Sequence, residues 1–213
     1  SCLSDNGYIV LGLPGKMTTL MAAMGFASPE IVSMLLECGA NVETVDVMGN
    51  DAFMFASIFG QPKNLQCWLN RVNHWDLNRQ NTVVGGCALG MAAFMSANKL
   101  DTVKVLIKAG AYLEYQTFTG GNVISAAVAN EDAEPEVVKL VLEELKLNTK
   151  NNTARFMSLL NYKHVPTTVK WKCIYFAAKT FHRIGMSHSQ LVSHLAVQSG
   201  TTPLNLAVIR GDA

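Results

Sequence analysis

One apolar position recurs along this chain at nearly constant spacing. Leu20, Phe53, Leu89 and Ile124 stand 33, 36 and 35 residues apart, each just after a turn-forming stretch and inside a short run of small and apolar residues. A second run follows, with apolar residues at helical spacing: Ile31-Val32 with Leu35-Leu36, Leu106-Ile107, and Val137-Val138 with Val141-Leu142. Gly39-Ala40 and Gly110-Ala111 close two of these runs. Self-similarity at a period of this size predicts stacked helix-turn-helix units. Two short helices cannot bury their apolar faces alone, so small residues let the units approach while Leu, Val and Ile fill the seam.

The segment GTTPLNLAVIRGD, residues 200–212, identifies the pattern more closely. Thr202, Pro203, Leu204, Asn205, Leu206 and Ala207 occupy the places of a Thr-Pro-Leu-His-x-Ala motif, and Thr18, Thr19, Leu20, Met21 and Ala23 occupy them again in the first copy. The chain resembles the ankyrin repeat family. That resemblance implies an all-α solenoid of stacked helix-turn-helix units with short hairpin turns. It implies a scaffold rather than an activity, because such arrays bind other macromolecules through surfaces that vary from protein to protein.

Register divides the chain. Residues 1–14 form a lead-in in which Tyr8 to Leu11 reads as a strand or an approach to the first turn. Residues 15–145 hold four repeats, the third and fourth expected to carry about two extra residues between their helices. The step from Ile124 to Leu204 is 80 residues, not a repeat multiple. Residues 146–199 therefore read as a basic insertion, at 147–166, plus a divergent repeat. A short helix is expected near 154–162, a first helix at IYFAAK (174–179) and a second at SHSQLVSHLAVQ (187–198), with a closing hairpin missing before Gly200. Residues 200–213 are half of a further repeat, whose uncovered first helix implies a larger chain.

Composition narrows the class. At 49% hydrophobic and 15% charged, 213 residues are enough for a sizeable core. No apolar run approaches the length of a membrane span, and Ser1 begins no recognisable signal peptide, so an intracellular, most simply cytoplasmic, protein is expected. Five cysteines without a Cys-x-x-Cys pair read as small buried apolar residues in a reducing compartment.

Chemical motifs are weak. GLPGKMTT, residues 12–19, has Gly12 and Gly15 three apart and Met17 before Thr18, which breaks the spacing of a phosphate-binding loop. His182, His188 and His194 recur every six residues and cannot share a helix face. No Gly-x-Ser-x-Gly nucleophile motif occurs. No catalytic residue, metal site or cofactor is expected.

Two surfaces remain. By the register of the resemblance, the concave groove is formed by Met17, Phe26, Met48, Ile58, Phe59, Phe94, Met95 and Phe118. These apolar side chains either dock a partner segment or pack against neighbouring repeats. The second surface is basic. Residues 1–145 hold fifteen acids and eight bases, whereas residues 146–211 hold nine bases and no acid. On a helix over 167–183, Lys172, Lys179 and Arg183 fall on one side and Trp171, Ile174, Tyr175 and Ala178 form the other, and Lys170 is counted in the same basic surface. This face either binds an anion or answers the acidic fourth repeat, the latter being favoured. The expected function is a non-catalytic protein–protein interaction module of a larger intracellular protein. Alternatives are a regulatory or substrate-recruiting domain of an enzyme or channel, and binding of an anion, nucleic acid or an acidic membrane, through residues 146–183. Nucleic acid is not an expected partner, and a membrane is one only through the rest of the chain.

Overall fold

The computed structural model describes residues 16–129, 133–150, 152–183 and 200–205. It is all-α, with no strand among the described residues. The chain forms two compact units, Ser1–Leu113 and Glu114–Ala213.

The first unit contains α1 (Thr19–Phe26), α2 (Pro29–Glu37), α3 (Ala52–Ile58), α4 (Pro62–Arg71), α5 (Ala88–Met95) and α6 (Lys99–Lys108). Consecutive helices pair as α1–α2, α3–α4 and α5–α6, and the pairs stack in two rows, α1–α3–α5 and α2–α4–α6. These are the stacked helix-turn-helix units the repeat register implies. First-row helices are apolar on nearly every side and are enclosed accordingly. In α3 every residue from Ala52 to Ser57 is buried. Second-row helices bury one stripe only: Val32 in α2, Leu65 and Trp68 in α4, Val103 and Leu106 in α6.

Starts and stops follow local chemistry. The Thr18 hydroxyl accepts from the Met21 N–H and Asp51 from the Met54 N–H, satisfying amide groups left open at the helix starts. Thr18, part of the broken phosphate-loop motif, is thus engaged as a helix cap. Pro29, Pro62 and Pro135 open second helices, where a missing N–H costs nothing. The buried Asn64 amide of α4 donates to the carbonyls of Ala23, Met24 and Ala27, closing the open end of α1 from the neighbouring pair. Asp46, Asn50 and Asn81 link successive hairpins: the Asn50 amide donates to Asp46 at 3.0 Å and the Asn81 amide to Asn50 at 3.0 Å.

The second unit contains α7 (Val123–Val128), α8 (Pro135–Asn148), α9 (Thr153–Leu160) and α10 (Val169–Arg183). Asn122 caps α7 through the Ser125 N–H, and its amide donates to the Leu159 carbonyl at the end of α9. Residues 163–167 form a turn segment. Thr167 N–H donates to the Phe118 carbonyl, His164 N–H to Thr201, and Gly200 N–H to His164.

This turn revises the reading of residues 146–199. First helices are preceded by Thr18, Asp51, Cys87 and Asn122, and in the second unit Thr168 accepts from the Trp171 N–H and Thr202 from the Asn205 N–H. Thr168 and Thr202 are 34 residues apart, so the period resumes at Thr168. The insertion is the stretch around α9, where a short helix is expected near 154–162 and is found at Thr153–Leu160. The first helix of the fifth unit is Val169–Arg183, in line with the helix expected over 167–183 and longer than IYFAAK (174–179), and a turn lies ahead of it. Pro166 hid it. Two residues before the other caps the backbone is left-handed, at Lys16, Gly49, Gly85, Gly120 and Gly200, and proline cannot adopt that conformation. The extra residues of the third copy also lie partly elsewhere than expected. Residues 96–98 between α5 and α6 match residues 59–61 between α3 and α4 in number and exceed residues 27–28 between α1 and α2 by one, so only one of the two extra residues can lie there. The fourth copy, with residues 129–134 between its helices, lengthens there by more. The expected lead-in 1–14, the second helix at 187–198 and the last residues 206–213 lie outside the described residues. No helix among those described is long and apolar enough to cross a membrane.

Two outcomes check this fold. At Gly49, φ is +81° and an added Cβ would sit 2.6 Å from the Thr82 amide nitrogen, whereas at Gly39, φ +76°, it would meet nothing within 4 Å. Gly39→Ala should cost about 1 kcal/mol from backbone strain alone, and Gly49→Ala about 3 kcal/mol, compared by urea denaturation. Burial pushes the Asp51 carboxyl from 3.8 up to about 6, against the lowering effects of the Met54 amide and Arg79. Because the folded state holds that proton more tightly, stability from this group falls as pH rises from about 4 to 6. Asp51→Asn keeps the cap. Its melting temperature should gain on wild type across that interval, and parallel pH profiles would refute the assignment.

Candidate functional site

The first-row helices end at the surface. Their cores are sealed, but Phe26 closes α1 at 57% exposed, and Phe94 and Met95 close α5 at 37% and 46%. Phe59, which caps α3, is half-buried. Since α1, α3 and α5 are neighbours in one row, equivalent ends carry apolar side chains in three successive repeats.

Phe26 and Phe59 answer both readings of this stripe. Their ring centroids are 4.4 Å apart at a tilted 49°, and Phe59 also lies 6.0 Å from Phe55 of the core. Gly25 makes room for this arrangement, because a Cβ there would stand 2.9 Å from Phe59 Cδ2. The two rings therefore pack across repeats and still leave Phe26 largely open. Ile58 and Met48 are half-buried, and the Met48 carbonyl is occupied by the Thr82 N–H at 3.0 Å. Met17 corrects the expectation: at 5% exposed it belongs to the core beneath the Thr18 cap and presents no groove surface. Phe118 is half-buried and belongs to the second unit.

Exposed apolar residues that the register did not mark include Val47 beside Met48 and Ile31 and Met34 on α2, at 56%, 49% and 63%. Ile31 had read as seam-filling. In α2 only Val32 is buried, because a second-row helix offers one narrow stripe to its neighbours.

The basic surface is formed as helical spacing predicts. Tyr175 and Ala178 are buried and Trp171 and Ile174 half-buried, while Lys170, Lys172, Lys179 and Arg183 are all exposed. The Tyr175 hydroxyl lies 3.1 Å from His164 Nε2, and burial pushes the phenol up to about 12. The favoured pairing with the acidic repeat is not seen: among the described residues, these four cations make no ion pair with Glu134, Glu136, Glu143 or Glu144. Glu114 instead pairs with Arg155 at 2.9 Å. Glu131 and Asp132 lie outside the described residues.

The cysteines differ among themselves. Cys87 is buried, which pushes its thiol up to about 11 and makes it a poor nucleophile near neutral pH. Cys38 and Cys173 are exposed and Cys67 half-buried, so the expectation of buried cysteines holds at Cys87 and not at these. Among the described residues no three His, Cys, Asp or Glu side chains are placed to hold a metal ion. His182 is exposed at the end of α10, and His188 and His194 lie outside the description.

Comparison with known proteins gives a distant relation. The chain is 26% identical over 167 residues to phosphocholine transferase AnkX of Legionella pneumophila, a match covering 76% of this chain and 17% of that protein. The chain thus spans under a fifth of the relative's length. No family model matches it.

The seat of Phe59 over Gly25 can be measured. Alanine normally stabilises a helix interior relative to glycine by about 0.5–1 kcal/mol. Gly25→Ala should yield that gain in a Phe59→Ala background and little or none in wild type, where the new methyl meets the ring. A double-mutant cycle by chemical denaturation reads the difference, and a gain independent of residue 59 would contradict the packing.

Proposed function

We propose that this chain is a non-catalytic protein-interaction module of an intracellular protein, and that its first unit binds a partner segment along the ends of α1, α3 and α5. The observation that carries this reading is the alignment of Phe26, Phe59, Phe94 and Met95 at equivalent ends of three stacked helices. Phe26, Phe94 and Met95 remain at 57%, 37% and 46% exposure while most residues in the middle of α1, α3 and α5 are buried. Exposed apolar side chains grouped in this way mark interfaces more often than they occur by accident. Aromatic anchors in a partly preformed seat also suit a hot spot, since Phe59 is held by Phe26 and Phe55 and has little freedom to lose on binding.

A second reading follows from the distant match to a protein named as a phosphocholine transferase. Here the same stripe recruits the substrate of an enzyme of which this region is one part, and the chemistry resides in other residues. Both readings require a docked segment at the same place. They differ in what the rest of the polypeptide does.

The test uses Phe59→Ala and Phe94→Ser. Each should weaken capture of the partner by on the order of 2 kcal/mol, roughly thirtyfold, while the thermal transition stays cooperative. Equal recovery of partners by wild type and both variants would sink the proposal. Within an enzyme, the same substitutions should raise KM for a protein substrate and spare kcat.

A further inference from the structure

The outward face of α10 joins two features that seldom share a solvent-exposed helix. Val169, Cys173 and Phe176 stand at i, i+4 and i+7, hence on one face, and Val169 and Phe176 are 76% and 74% exposed. Lys172, Lys179 and Arg183 border that stripe on one side and Lys170 on the other, all of them exposed. The helix has no acidic residue. Its opposite face, with Tyr175 and Ala178 buried and Tyr175 held against His164, is the one fixed to the second unit. The apolar stripe is therefore turned away from the unit's own core.

We infer that α10 is a docking helix for an anionic lipid surface. It lies along the bilayer interface with Val169 and Phe176 at the boundary of the acyl region and the four cations among the acidic headgroups. An apolar stripe flanked by Lys and Arg is the arrangement that such an interface rewards, since the boundary accepts hydrocarbon and cation side by side. Nucleic acid offers the charge without an apolar phase for Val169. The electrostatic match extends past the helix, because residues 146–183 contain eight bases and no acid, and polybasic segments are drawn to anionic leaflets. The cations are also available, as the described acids of α8 do not pair with them. Cations near both ends and the middle of a 15-residue helix favour lying on a bilayer over spanning it. This surface is independent of the stripe on the first unit.

The experiment is sedimentation of the whole 213-residue chain with sucrose-loaded vesicles, either pure phosphatidylcholine or phosphatidylcholine with roughly 30% phosphatidylserine. A labelled single-stranded oligonucleotide serves as a second probe. Binding to the phosphatidylserine vesicles alone is expected, weakening as salt rises. Lys172→Gln with Lys179→Gln should lower the partition coefficient on the order of tenfold. Phe176→Ser should lower it severalfold with an unchanged circular dichroism spectrum, and Val169→Ser replaces it if that spectrum changes. Absence of sedimentation with phosphatidylserine vesicles overturns the inference. So does binding indifferent to both apolar substitutions, or an oligonucleotide that binds more tightly than the vesicles and displaces them.

Discussion

Everything in the first unit depends on the inability of its first-row helices to stand alone. Helices of seven or eight residues are far below the length at which an isolated helix persists in water. Being apolar almost all round, they also have no face to offer solvent. Their stability must come from enclosure between a second-row helix and the next pair, so each repeat supplies part of its neighbour's core. The Asn64 amide, reaching across to three carbonyls of the preceding pair, shows the polar side of the same dependence.

Enclosure of the first-row helices is weakest at their ends, and the apolar stripe of the first unit follows from where it fails. A helix whose middle is sealed still exposes its last turn, and a first-row helix made wholly of apolar residues exposes an apolar last turn. Phe26, Phe94 and Met95 are open for this reason, and Phe59 is partly covered only because Gly25 leaves a seat. In the second unit the geometry differs. Helix α10 is about twice as long as a first-row helix and amphipathic, so its outer face runs its whole length with cations and hydrocarbon intermixed.

Legibility followed the strength of the local rule. The positions of α1 to α8 were plain, since cap residues, proline starts and apolar spacing agree with one another there. Helix α9 and the buried side of α10 are also visible, the latter through the spacing of Trp171, Ile174, Tyr175 and Ala178. The turn at residues 163–167 was not. It is specified by hydrogen bonds to Phe118 and Thr201, far away along the chain, and its proline replaces the left-handed residue that marks the other turns. Among the site residues, Phe26, Phe94 and Met95 could be read as exposed because they end their helices. Met17 could not be read as buried, because its cover comes from tertiary packing around the Thr18 cap.

The sequence by itself determined the repeat: a period, a turn-forming stretch before each first helix, and helices too short and too apolar to exist unstacked. It also determined that bases accumulate after residue 145, since composition needs no coordinates. Only the tertiary structure decided which apolar side chains are core and which are surface, and that the described acids of the fourth repeat leave the cations of α10 to other partners. Burial and pairing are properties of neighbours brought together from distant points in the chain. A residue's own identity fixes what it can do once exposed, and the packing around it fixes whether it is.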